Sequence, residues 1–246
     1  MSRRPLGSYV LAGLVFSAMP ASAADIIVTP VRVTLSAKAP IASLDVKNAG
    51  DTGVLMQIRL RHWTQSNGRD ILSPTDDLMA NPPSFRLAAG TTQIVRFGLE
   101  QQPGSSEGTY RVLITQVPEQ RLLRTGEVQT ILNISIPIFV ETPNDKSDVL
   151  WLLRRGHGAT LRLQAFNRGT AHIEIGRLRI TGPKGQLLVK LDEPAYVLAG
   201  QRHSWTLPQS AAIAPGSTVT LNAETDSASL ERKLVIGAGG DAEGTE

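Results

Sequence analysis

The chain has 246 residues, a formal net charge of +3, 41% hydrophobic residues, 4% aromatics and no cysteine. That length holds one large all-β domain or two of roughly 100–120 residues, with a core built from Val, Leu, Ile and Ala. The lack of cysteine excludes thiol catalysis and thiolate zinc sites, and basic residues that are not interleaved with aromatics argue against a nucleic-acid partner.

Arg3 and Arg4 precede an apolar run over residues 9–19, followed by Ala21-Ser22-Ala23. This is the layout of a secretory signal peptide over residues 1–23, cleaved near Ala23. The run is shorter than the roughly 20 residues a membrane span needs. Removing the leader takes the formal charge from +3 to +1. The expected mature chain is exported, periplasmic and not membrane-embedded.

The mature sequence reads as short strands separated by turns. Residues 26–35 and 42–48 are strand-like, the second ending in Asn48-Ala49-Gly50-Asp51. Residues 54–64 alternate well, and Asn67-Gly68 marks a hairpin turn. Pro82-Pro83 ends a polar stretch and leads to the short extended piece Phe85-Arg86-Leu87. Residues 92–99 and 110–117 follow as strands, with a loop at 101–108. The clearest signal is at 128–140, where Val128, Thr130, Leu132, Ile134, Ile136, Ile138 and Val140 form an almost wholly apolar row. A period of two over this length predicts a long β-strand. Left at an edge it is a pairing hazard, and Pro137, with no N–H, belongs at an edge or bulge.

Pro143 sits in a break in the pattern, and a second strand series starts at 148. It runs through 161–167, 173–181, 187–191, 195–198, 204–207, 219–225 and 233–236. The expected organisation is a leader at 1–23, one immunoglobulin-like sandwich at 24–142, a second at 143–237 and a disordered tail at 238–246. Val46-Lys47-Asn48-Ala49-Gly50 is echoed by Ala165-Phe166-Asn167-Arg168-Gly169, an echo that turn chemistry alone could produce.

No catalytic set, metal centre or cofactor site is expected. His62, His157, His172 and His203 lack ligand spacing, and no nucleophile-elbow, phosphate-loop or dinucleotide motif is present. Asp76-Asp77 reads as a solvated turn, and Gly156-His157-Gly158 as a flexible one.

Several features of the first half occur together: Pro30-Val31-Arg32-Val33, the Asn48 turn, the composite stretch from Pro82 to Arg96, Glu107 to Arg111, and S-I-P-I-F-V at 135–140. In this order they resemble the periplasmic chaperones of the chaperone–usher pilus pathway, closest in look to the archaic, spore-coat-type branch. The resemblance implies two immunoglobulin-like domains in a boomerang, no enzymatic activity and no cofactor. It implies that pilin subunits and an outer-membrane usher are the partners. The strand at 128–140 would be lent to a subunit, with Val128, Thr130, Leu132, Ile134 and Ile136 filling the subunit's groove. Such a strand needs cover when no subunit is bound, and self-association would supply it.

The resemblance also implies two basic residues that hold the pilin's terminal carboxylate. Arg32 matches the first, but Pro137 stands where the second is expected. Hairpin geometry offers a substitute: if Pro118 lies opposite Val128, Arg111 falls opposite about Ser135, beside Pro137. Arg32 and Arg111 are therefore the expected anchor, with Arg96 in reserve. Arg86 is expected to pair across the domains with Asp226, or with Glu224. Leu122-Leu123, in the loop before the donor strand, would suit subunit or usher contact. Two other readings remain open: a structural or adhesive two-domain protein with the strand buried, and a secreted carbohydrate-binding or carbohydrate-active sandwich.

Overall fold

A computed structural model of the chain describes residues 25–66, 68–101, 104–118, 130–158, 160–208 and 213–238. The expected leader, Leu122, Leu123, Val128 and the tail from 239 onward lie outside the described residues. Among the described residues there are strands and turns and no helix.

In chain order the first half holds β1 (Ile26–Thr29), β2 (Val33–Ser36), β3 (Ile41–Asn48), β4 (Val54–Ser66), β5 (Arg69–Pro74), β6 (Leu78–Asn81), β7 (Ser84–Leu87), β8 (Thr92–Leu99), β9 (Gly108–Val117) and β10 (Asn133–Glu141). The second half holds β11 (Val149–Arg155), β12 (Thr160–Asn167), β13 (Ile173–Thr181), β14 (Leu187–Leu191), β15 (Ala195–Val197), β16 (Arg202–Pro208), β17 (Thr218–Thr225) and β18 (Ser229–Val235). The first sandwich packs the sheet β1-β3-β8-β6 on the sheet β2-β10-β9-β4-β5, with β7 also on β4. The second packs β11-β12-β16 on β14-β13-β17-β18, with β15 on β13. Each has its own core of alternating aliphatic side chains, led by Leu35, Met56, Ile114 and Ile138 in one and Leu161, Leu163, Ile175 and Leu178 in the other.

The stretch read as one strand over 26–35 is two strands in two sheets. β1 pairs with β3, and β2 pairs in parallel with β10, with Val33 opposite Ile138. Pro30, which lacks an N–H and restricts the residue before it, ends the first ladder. The inward parity changes at this point, from Ile26 and Val28 to Val33 and Leu35. β6 lies in the stretch read as a polar loop; its single buried side chain, Leu78, produces no alternation. β18 begins at Ser229, earlier than expected. The hairpin between β4 and β5 turns as expected, with Ser66 opposite Arg69 and Gly68 at φ 72°.

The echo between the halves is a shared structural device. Asn48 and Asn167 are both fully buried. The Asn48 side chain accepts from the Gly50 amide at 3.0 Å and donates to the carbonyls of Thr52 at 2.7 Å and Leu87 at 3.3 Å. Asn167 repeats the two local offsets, with Gly169 at 3.0 Å and Ala171 at 2.7 Å, and makes an equivalent long-range bond to the Val197 carbonyl at 3.0 Å. Leu87 and Val197 are the last residues of β7 and β15. Each amide thus closes its own turn and ties it to a neighbouring strand end. Asn48→Ala and Asn167→Ala strand buried carbonyls and amides, so each is expected to cost on the order of 2–4 kcal/mol. Urea midpoints check this, and a loss below about 1 kcal/mol would remove the tying role.

Candidate functional site: the open edge of β10 and the domain joint

β9 runs alongside β10 from Asn133 to Val140, but β2 covers only Ile138–Glu141. Among the described residues, the half of β10 from Asn133 to Pro137 therefore has a neighbour on one side alone. The Gln116 amide donates to the Leu132 carbonyl at 2.9 Å, which sets the parity of the ladder. Even-numbered residues bond to β9, and the main-chain groups of Asn133 and Ser135 face the open side. Pro137 faces that side too, and can offer a carbonyl but no N–H.

The strand begins at Asn133 rather than 128, so the expected donor row is divided. Ile136 is 3% exposed and belongs to the core of its own sandwich. Ile134 packs on the rim of that core, Leu132 is half-buried, and Thr130 and Ile131 are exposed.

Arg111 lies directly opposite Pro137, not Ser135. The offset from the expected register is even, so the face of the sheet is unchanged. On the other side, the parallel pairing of Val33 with Ile138 brings Arg32 level with Pro137. The two arginines thus flank the proline, and Arg61 of β4 is opposite Arg111 in the next strand. The Arg111 guanidinium lies 3.7 Å from the centre of the Trp63 ring and 4.0 Å from Asp70. Burial lowers its hold on the proton while Asp70 and Tyr196 work the other way, and a guanidinium remains charged throughout.

Arg32 is more heavily engaged. It reaches across to the second sandwich, pairing with Glu174 and, at 3.2 Å, with Asp226. Tyr196 also donates to Glu174, at 2.9 Å. This corrects the expected pairing of Arg86 with Asp226. Asp226 is taken by Arg32 and His172, and its second oxygen accepts from the Glu174 amide. Arg86 stands on β7 opposite Leu55, at the other end of β4 from the joint. The alternative acid, Glu224, pairs with Arg177 within its own domain. Arg96 is on β8, in the opposite sheet of the first sandwich, paired with Ser43.

The joint itself is a small core shared by the two sandwiches. Trp63, Phe139 and Leu198 are almost fully buried together, with Tyr196 packed against them. Gln65 ties the backbones: it donates to the Tyr196 carbonyl and accepts from the Leu198 amide, both at 3.0 Å. His172, which the sequence reading passed over, stacks flat on Phe139 with ring centres 3.5 Å apart. Its partners are Glu107 and Asp226, distant in sequence, so spacing holds no signal for it. Among the described residues no cluster of His, Asp or Glu could hold a metal ion, and no helix is long and apolar enough to cross a membrane.

Residues 25–144 match the family model described as pili and flagellar-assembly chaperone, PapD N-terminal domain. The chain is similar to a solved chain of the CsuC–CsuE chaperone–tip adhesion subunit pre-assembly complex from the archaic chaperone–usher Csu pili of Acinetobacter baumannii. The identity is 19%, the TM-score 0.64, and the match covers 88% of this chain and 100% of that one. It is similar to the Salmonella enterica SafA pilin–SafB chaperone complex at 18% identity and TM-score 0.59, covering 88% and 98%. The Pseudomonas aeruginosa CupB2 chaperone is matched at 15% identity and TM-score 0.57, covering 86% and 100%. No curated protein matches the chain. The likeness to these structures is one of fold; the family-model match shows that the first sandwich, over residues 25–144, belongs to the pili and flagellar-assembly chaperone family.

Proposed function

We propose that this chain captures pilin subunits in the periplasm, completes their fold by lending them the open half of β10, and passes them to an outer-membrane usher. The family is one of chaperones, a non-enzymatic class. The leader read at 1–23 supports export, and cleavage near Ala23 belongs to the same reading.

The observation that carries the proposal is the half-covered edge. A strand that adds beside Asn133–Pro137 and runs parallel to β10 is collinear with β2, and must stop where β2 begins. Its terminal carboxylate then arrives between Arg32 and Arg111. Main-chain bonds to Asn133 and Ser135 supply the pairing, and Thr130, Leu132 and Ile134 supply apolar contact. Of the two arginines, Arg111 is the stronger candidate, because Arg32 already serves two carboxylates while Arg111 has one at 4.0 Å. Unpaired surface would be covered in the free protein by self-association.

The test is affinity for a candidate subunit with a free or an amidated C-terminus. A charge-assisted pair is worth about 1.5–3 kcal/mol, so Arg111→Ala should weaken binding of the free acid about 10–100-fold. It should change binding of the amidated subunit little. Equal losses for both forms would remove Arg111 from the anchor.

A further inference from the structure

The joint carries a titratable group that subunit capture does not use. His172 precedes β13, and its side chain is 10% exposed. Its Nδ1 lies 2.7 Å from Glu107, and its backbone N–H donates to the same oxygen at 2.9 Å. Glu107 belongs to the first sandwich, and its side chain is 2% exposed. Among the described residues, His172 is the only partner of that carboxylate. Nε2 faces Asp226 at 3.5 Å, a charge–charge contact rather than an aligned hydrogen bond.

The surrounding groups fix the sign of the charge that fits. Glu107 and Asp226 face the ring directly, Arg32 stands behind Asp226, and Glu174 stands behind Arg32. Tyr196 lies 5.9 Å away, centre to centre, on β15. Glu141, Asp145 and Lys146 line the same recess. Phe139 presents its face to the ring, which favours a cation. An imidazolium therefore satisfies a buried carboxylate from one domain, an acid from the other and an aromatic face. A neutral ring weakens all three contacts together.

We propose that Glu107, His172 and Asp226 form a proton-dependent clasp between the two domains, closed while His172 is charged and loosened when it loses its proton. Burial works to lower the His172 pKa. The adjacent Asp226 and Glu107 carboxylates outweigh it and raise the value above the ordinary 6.5. A raised pKa means that the clasp's contribution is complete below about pH 6.5 and is lost as pH rises through the elevated value.

The chain has no cysteine, so labels can be placed at will. With Lys47→Cys on β3 and Lys233→Cys on β18, both exposed, spin-label distances report the domain arrangement. Between pH 5.5 and 9 the distance distribution should broaden or shift with one midpoint, above about 6.5. The same midpoint should appear in the His172 ring resonances by NMR. His172→Arg, always charged, should remove the transition, and Glu107→Gln should move the midpoint down. A distance distribution constant across the range overturns the clasp, as does a transition that persists in His172→Arg. If the variants fail to fold, a wild-type His172 midpoint at or below 6.5 overturns it alone.

Discussion

A chain carrying Leu132→Asp and Ile134→Asp is expected to fold and to lose its subunit. Both side chains sit at the open half of β10, where the sandwich gives them only part of their cover. Burial against a partner is worth about 1.5–3 kcal/mol for each, and each new carboxylate must also be desolvated. Recovery of a co-expressed pilin should fall at least about a hundredfold. The cost to the chaperone itself is smaller, because Leu132 stands outside the core cluster and Ile134 on its rim. A penalty near 1 kcal/mol lowers the melting temperature by about 2–4 °C at this size. Unchanged pilin recovery with the fold intact would end the donor-strand reading and favour a strand that serves only its own domain.

Trp63→Ala should have the largest effect on stability. Trp63 is fully buried, yet it lies outside both sandwich cores. Its ring meets Tyr196 edge-on at 5.3 Å and Phe139 at 6.1 Å, and carries the Arg111 guanidinium on its face. Truncating a buried Trp costs about 3–5 kcal/mol, which corresponds to a melting temperature lower by roughly 10 °C. Because the two cores are untouched, the circular-dichroism signature of the sheets at room temperature should remain. A change in melting temperature below about 2 °C would mean that the two sandwiches do not share this core.

Much of this was legible from local sequence. The alternation of residues 128–140 and the Asn-Gly hairpin depend on neighbours along the chain, and so did the choice of Arg111. The assumed loop length put Arg111 opposite Ser135 instead of Pro137, an even slip that leaves the face unchanged. Val128 falls outside the described residues, and Ile136, although its backbone edge is open, joined its own core because its side chain lies on the inward face with Ile138 and Val140. The break at Pro30 was masked by Ile26, Ile27 and Val28, which are apolar in both parities and so hide the change of face. The pairing expected of Arg86 failed for a long-range reason. Its strand meets β4 at Leu55, roughly 27 Å along the strand from Trp63. Glu107, His172 and Asp226 meet only after both sandwiches have formed, which no local pattern encodes.

The short parallel pairing of β2 with β10 has a consequence for selectivity. For any strand docking on the open edge, β2 is a fixed end-stop, so register is counted from the joint and not from the fit of individual side chains. One chaperone can then receive subunits of different sequence in a common alignment, and the tolerance falls on the far end, around Thr130, where the surface is open.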